Sequence, residues 1–288
     1  MPAATNFDTN TSETIWIDIP GGRLAAQDEG EGPPVVLVHS AVVNRRSWNG
    51  VAPRLVEAGY RVIRYDMRGF GESTTEDIEY QPHADVLAVM DHFGVGRAAV
   101  VGNSMGAAFM LDAVIATPDR FVAYVWVGGG IGGFDKEPSA TEDGLFQAES
   151  DAEDASDWDL AAELDTRIWM DGWRNGQNEP ATRVDPGVRA SMKAMDRELL
   201  EPGRAYGSFD RISPPAIERL ETVAPPTLVV IGDLDTTGTR ASAELLTERV
   251  PGARIERLPN VAHIVGMEEP DKLAALIVEH LAPLPRWS

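Results

Sequence analysis

The chain has 288 residues, 43% of them hydrophobic, which is enough for a sizeable core and argues against a mainly disordered polymer. It contains no cysteine, so disulfides, thiolate metal ligands and a cysteine nucleophile are excluded. Its 46 Asp+Glu outweigh its 25 Lys+Arg to give a formal net charge of −21, a surface that repels phosphate backbones and anionic membranes. Nucleic acid and membrane are therefore not expected partners. No apolar run reaches the ~20 residues of a membrane span, and the best candidate, 107–116, is interrupted by Asp112. Residues 1–14 show neither a basic start nor an apolar stretch, so a cytoplasmic location is expected.

In chain order, the Asn/Thr-rich stretch 5–14 reads as a mobile tail. Strands are predicted over 14–19 and 23–27, around the turn Pro20-Gly21-Gly22. The continuous apolar run 35–39 follows Pro33-Pro34 and suits a strand buried on both faces. A helix over 47–58 ends at Gly59, and a strand follows over 61–65. Residues 81–93 place Val86, Leu87, Val89, Met90 and Phe93 at helical spacing and stop at Gly94. The rhythm repeats as strand 98–101, helix 104–116 and strand 122–127, and later as strand 227–231, helix 240–250, strand 254–258 and helix 270–281. Repeated strand–helix units imply an α/β fold with a mainly parallel sheet of about eight strands and helices on both faces.

Between 134 and 223 the alternation breaks. This stretch has helical patterns, three tryptophans (Trp158, Trp169, Trp173) and much acid: 134–180 carries fourteen Asp/Glu against Lys136, Arg167 and Arg174. It is too long for a loop and reads as a helical cap inserted over the sheet's C-terminal edge. The expected division is a core formed by 1–133 and 224–288 with the cap, 134–223, between them. The tryptophans suit a small core, the acid a solvated surface, and the run Gly128 to Gly133 a hinge or tight turn at the cap's base.

The chemistry-bearing motif is Gly102-Asn103-Ser104-Met105-Gly106, a G-x-S-x-G between a predicted strand and a helix rich in small residues. A serine on so sharp a turn exposes its hydroxyl. Side chains two residues to either side would clash, hence the glycines. The helix N-terminus behind it favours developing negative charge. Serine needs a base. Of the five histidines, His263 lies in the loop between the last predicted strand and the last helix, at the strand end where open α/β sheets place their sites. The base needs an acid to orient it. Strand 227–231 runs into Gly232-Asp233-Leu234-Asp235, and Asp235 is preferred because it reaches further beyond the strand; Asp233 is the alternative, or a turn-former. The oxyanion needs two N–H donors, assigned to the backbones of Met105 and of Ala41, in the loop after His39.

On these residues the sequence resembles the α/β-hydrolase superfamily over nearly the whole chain outside the cap. The order Ser104, Asp235, His263 is that family's nucleophile, acid and base. Asp66-Met67-Arg68-Gly69-Phe70-Gly71-Glu72-Ser73 is similar to its D-x-R-G-x-G-x-S turn, a structural brace near the elbow. His39-Ser40 followed by Arg46-Ser47-Trp48 resembles 3-oxoadipate enol-lactonase-like members. The resemblance implies a serine hydrolase of esters or lactones with no cofactor and no metal, and the mostly apolar pocket expected between cap and sheet edge favours a small uncharged substrate. The alternatives are a carbon–carbon bond hydrolase or perhydrolase using the same triad, or a binding protein that has lost turnover. Ile264 after His263 and the Ser40-Ala41-Val42 loop weigh against the carbon–carbon hydrolases, and Ser104 against epoxide hydrolases and haloalkane dehalogenases of this fold, which use aspartate.

Overall fold

The structure, a computed structural model, describes residues 6–9, 12–200 and 204–288. Eight strands form the path of one sheet: β1 (Ile15–Ile19), β2 (Gly22–Glu29), β3 (Pro34–Val38), β4 (Arg61–Tyr65), β5 (Ala98–Asn103), β6 (Phe121–Val127), β7 (Thr227–Gly232) and β8 (Arg254–Leu258). Their order across the sheet is β1-β2-β4-β3-β5-β6-β7-β8, with Thr74–Thr75 added at β2. β2 pairs antiparallel with β1 and β4, and every later pairing is parallel. Parallel strands require crossovers, and the helices that supply them cover both faces.

The helices are α1 (Ala52–Glu57), α2 (Pro82–His92), α3 (Met105–Ala116), α4 (Ala140–Asp154), α5 (Trp158–Thr166), α6 (Pro186–Leu199), α7 (Thr237–Arg249), α8 (Val265–Glu268) and α9 (Pro270–Leu281). Alternation along the strands divides the core in two. Val36 and Val38 of β3 face a cluster with Val86 of α2, Leu111 of α3 and Leu246 of α7. Val35 and Leu37 face the other way, onto Leu55 of α1 and Leu273 and Ile277 of α9. With both faces covered, the strand must be apolar throughout, and all five residues of β3 are buried.

Three expectations are corrected. The helix over 47–58 is two pieces, a 3₁₀ turn at Arg45–Trp48 and α1. Pro53 falls in the first turn of α1, where its lack of an N–H costs nothing, so the α-helix starts there rather than running through. The tail is pinned where it is described: Phe7 is buried against Val43, Met170 and Met192, and Asn49 Nδ2 donates to the carbonyls of Asn6 and Thr9, each at 2.8 Å. Residues 5, 10 and 11 of that stretch lie outside the described residues. Finally, the helix expected at 240 begins at Thr237, because Thr236 caps it by accepting the Thr239 N–H at 3.3 Å.

Between β6 and β7 the described chain adds no strand to the central sheet and carries α4, α5 and α6. Ser139 and Glu142 form a reciprocal capping box at the start of α4. The second oxygen of Glu142 accepts the Thr237 N–H at 2.7 Å, tying α4 to the first turn of α7. A single π-helical turn, Arg167–Asp171, follows α5 and carries Trp169 towards the sheet. Among the described residues, no helix is long and apolar enough to cross a membrane.

Candidate active site

Ser104 sits between β5 and α3 at φ 57°, ψ −120°, a conformation that a non-glycine residue rarely adopts. The turn is held from both sides: the Ser104 N–H donates to the Val127 carbonyl at 2.9 Å, and the Ser104 carbonyl accepts the Ala108 N–H at 3.0 Å. The flanking glycines are there for space. A Cβ on Gly102 would lie 2.5 Å from the backbone of Ala107, and one on Gly106 would lie 2.5 Å from the carbonyl oxygens of Val38 and His39. Met105 opens α3, so its N–H has no acceptor within the helix.

β7 and β8 deliver the other two side chains. Beyond β7 the chain turns through Gly232; a Cβ there would lie 2.3 Å from the carbonyls of Val261 and Ala262. The two loops are thereby pressed together. Leu234 N–H donates to the Val261 carbonyl at 2.9 Å, which turns Asp235 inward and leaves Asp233 exposed. Asp235 is 1% exposed, and both of its carboxylate oxygens lie 2.9 Å from His263 Nδ1. One of those oxygens also accepts the Thr236 N–H at 2.7 Å. The carboxylate therefore fixes the proton on Nδ1 and leaves Nε2 as the acceptor. Nε2 is buried without a hydrogen-bond partner. His39 differs: it accepts the Met67 N–H on Nε2 at 3.0 Å and donates from Nδ1 to the Ser40 carbonyl at 2.8 Å. Burial pushes its pKa down, so it is a neutral strut.

Ala41, Ser104, Met105 and His263 all border one cavity of about 660 Å³, whose far wall is formed by Phe134, Phe146 and the start of α7. A second lobe of about 720 Å³ opens from Ala41, Ser104 and Trp169 towards α4, α5 and α6. The structure thus brings Ser104, His263 and Asp235 into one neighbourhood, with Ala41 and Met105 beside the serine. The Asp66 turn is a brace: Asp66 accepts the N–H groups of Arg45 and Glu72 at 2.7 and 2.9 Å, and Arg68 pairs with Asp85 at 2.7 Å.

Four further contributors were not assigned to the site from the sequence. Asn103, the variable position before the serine, donates to the carbonyls of Val127 at 3.0 Å and His263 at 3.1 Å, tying the elbow to the histidine loop. Gly128, in the glycine run, approaches so closely that a Cβ would lie 2.9 Å from Asp235 Oδ2. Trp169 lies against the His263 ring, centroids 4.5 Å apart and planes tilted by 43°, and accepts the His263 N–H on its carbonyl at 3.1 Å. Glu268 of α8 accepts the Ala262 N–H with both oxygens at 3.1 Å and is paired with Arg183 at 2.7 Å. Burial outweighs that guanidinium and raises the Glu268 pKa to about 7. The glycine run and the three tryptophans were visible signals; Arg183 and Glu268 carried none.

The strand order, with a serine elbow after β5, an acid after β7 and a histidine after β8, defines an α/β hydrolase. The chain belongs to the alpha/beta hydrolase family, whose model matches residues 35–276. It is 30% identical to rhodomycin D methylesterase of Streptomyces peucetius, over 96% of this chain and 97% of that protein. It is 25% identical to a 2-hydroxy-6-oxononadienedioate/2-hydroxy-6-oxononatrienedioate hydrolase of a Pseudomonas species, over 95% and 98% of the two chains. The enol-lactonase of Burkholderia xenovorans LB400 superposes with a TM-score of 0.72 over 93% of this chain and 100% of its own, at 22% identity, a likeness of fold. Hydrolase is the class that the family and these relatives share.

Proposed function

We propose that the protein is a serine hydrolase of carboxylic esters or lactones, with Ser104 as nucleophile, His263 as base and Asp235 as the orienting acid. The observation that carries this reading is the Asp235–His263 pair, whose unpartnered Nε2 lies beside the cavity that Ser104 borders. Ser104 Oγ attacks the carbonyl carbon while His263 Nε2 takes its proton. The N–H groups of Met105 and Ala41 hold the oxyanion. The tetrahedral intermediate collapses, the C–O bond to the alcohol breaks, and His263 returns its proton to the leaving oxygen. Water then attacks the acyl-serine, giving its proton to His263; the acid leaves and Ser104 recovers its proton. A lactone follows the same course, with its alcohol still tethered. In this reading 134–223 is a cap: Trp169 and Phe146 shield the site, and helices α4 to α6 wall its second lobe.

The test is hydrolysis of p-nitrophenyl butanoate by the wild type and by Ser104→Ala, with fluorophosphonate labelling alongside. The expected result is turnover and labelling in the wild type and a loss of both in the variant, which stays folded. Wild-type turnover retained by Ser104→Ala would overturn the mechanism, and a wild type that neither labels nor turns over esters would favour the binding-protein alternative.

A further inference from the structure

The second lobe holds a feature that ester chemistry alone does not use. Five carboxylic side chains border it: Glu149, Glu153 and the more exposed Asp154 from α4, Asp165 from α5 and Asp196 from α6. Among the described residues none of the five forms an ion pair, although elsewhere buried acids are paired with arginine, as in Arg68–Asp85 and Arg183–Glu268. Asp196 is 2% exposed, and no N–H or hydroxyl group donates to its Oδ2. Asp165 accepts the Trp169 indole N–H at 2.9 Å on its Oδ1 and shares a hydrogen bond with Asp196, carboxyl to carboxyl. A buried carboxyl without a donor is costly and is normally satisfied. The remaining walls are aromatic: Trp158, Trp169, Phe70 and Tyr206 border the same space. Acid with aromatic faces and no resident cation is the chemistry that recognises an ammonium group.

Resting on the ester or lactone reading, we infer that this lobe is a subsite for an alkylammonium group carried by the substrate, with the scissile carbonyl at Ser104. The substrate is then cationic at one end, in place of the wholly uncharged ester expected of an apolar pocket. Burial first, and the neighbouring carboxylates second, raise Glu149 to about 7, Asp165 to about 6 and Asp196 to about 9, so the cluster retains protons at neutral pH. The groups facing Asp196 are Asp165, Glu149, Glu153 and the Tyr206 phenol; the nearby Arg204 acts on Tyr206 and donates to the carbonyls of Gly69 and Gly71, not to these carboxyls. An ammonium entering the lobe would displace a carboxyl proton to solvent.

The test compares methyl ω-aminohexanoate and ω-aminooctanoate with methyl heptanoate and nonanoate, the uncharged esters of matched length. The expected result is a kcat/KM about tenfold or more in favour of the amino esters, falling to about one in Asp196→Asn. Glu149→Gln, at a less buried position, serves if Asp196→Asn does not fold. Calorimetry adds a readout independent of turnover: hexylammonium should bind the wild type with proton release, seen as a heat that varies with buffer ionisation, and hexanol should release none. Equal turnover of the two ester classes, with no hexylammonium binding, overturns the subsite while the hydrolase reading stands. Hexylammonium binding lost in the variants, with no ester cleaved, upholds the subsite and sinks the ester reading. An ester preference that is unchanged in Asp196→Asn and Glu149→Gln shows carboxyls that only share a proton, and also overturns it.

Discussion

Ser104 occupies a backbone conformation that costs of order 1–3 kcal/mol, and its neighbours explain why it persists. Glycine at 102 and 106 lets backbone approach backbone, while the Val127 and Ala108 hydrogen bonds hold the turn from outside. Gly128 belongs to the same construction, at φ 52° against the Asp235 carboxylate. Gly128→Ala should therefore displace Asp235 and lower kcat by roughly tenfold to a hundredfold, with the fold unchanged by circular dichroism. The two acids after β7 separate cleanly by substitution. Asp235→Asn should cost on the order of 10³–10⁴ in kcat by losing the tautomer that leaves Nε2 as acceptor, whereas Asp233→Asn should leave the rate within about twofold, because that side chain faces solvent. Steady-state kinetics on one chromogenic ester reads all three.

At the scale of elements, the central strands were legible because a run buried on both faces can only be apolar, and short apolar runs bounded by proline and glycine stand out. Two segments were not. The four-residue α8 is too short to show a period, and the N-terminal stretch reads as polar although Phe7 is 2% exposed. A single aromatic anchor leaves no pattern. The histidine loop is likewise held by a contact that no local signal announces, the Arg183–Glu268 pair, whose side chains are only 7% and 3% exposed. Arg183→Ala should strand Glu268 among apolar groups, destabilising the protein by about 3–5 kcal/mol in urea unfolding. The loss should be larger at alkaline pH than at acid pH, because protonation relieves the orphaned carboxylate.

For the whole molecule, net charge −21 means self-repulsion, and raising salt from about 0.05 M to about 1 M should raise Tm through screening. Stability should also depend on pH with a definite sign. Asp196, Glu149, Asp165 and Glu268 have folded pKa values raised to about 9, 7, 6 and 7, so the folded state keeps protons that the unfolded chain releases above about pH 4. Their contribution falls as pH rises from about 4 to about 9. Glu163, held near 2 first by its hydrogen bond to Arg189, acts in the opposite sense, but only below about pH 4.5. Thermal scans should show Tm falling from about pH 5 to about pH 9, with a shallower fall in Asp196→Asn.

Strand, turn and helix around Ser104, the chain order of serine, acid and histidine, and the helical break after β6 are local properties. They follow from side-chain period, glycine placement and the ends of apolar runs, so the sequence alone determined them. The pairing of Asp235 rather than Asp233 with His263, the contacts of Asn103, Gly128 and Trp169, and the gathering of carboxyls from α4, α5 and α6 into one cluster without a cation were decided only by tertiary packing. Each depends on the direction a side chain takes once distant segments are pressed together, and a carboxylate that is solvated in one such arrangement is, in the next, buried against an imidazole or another acid.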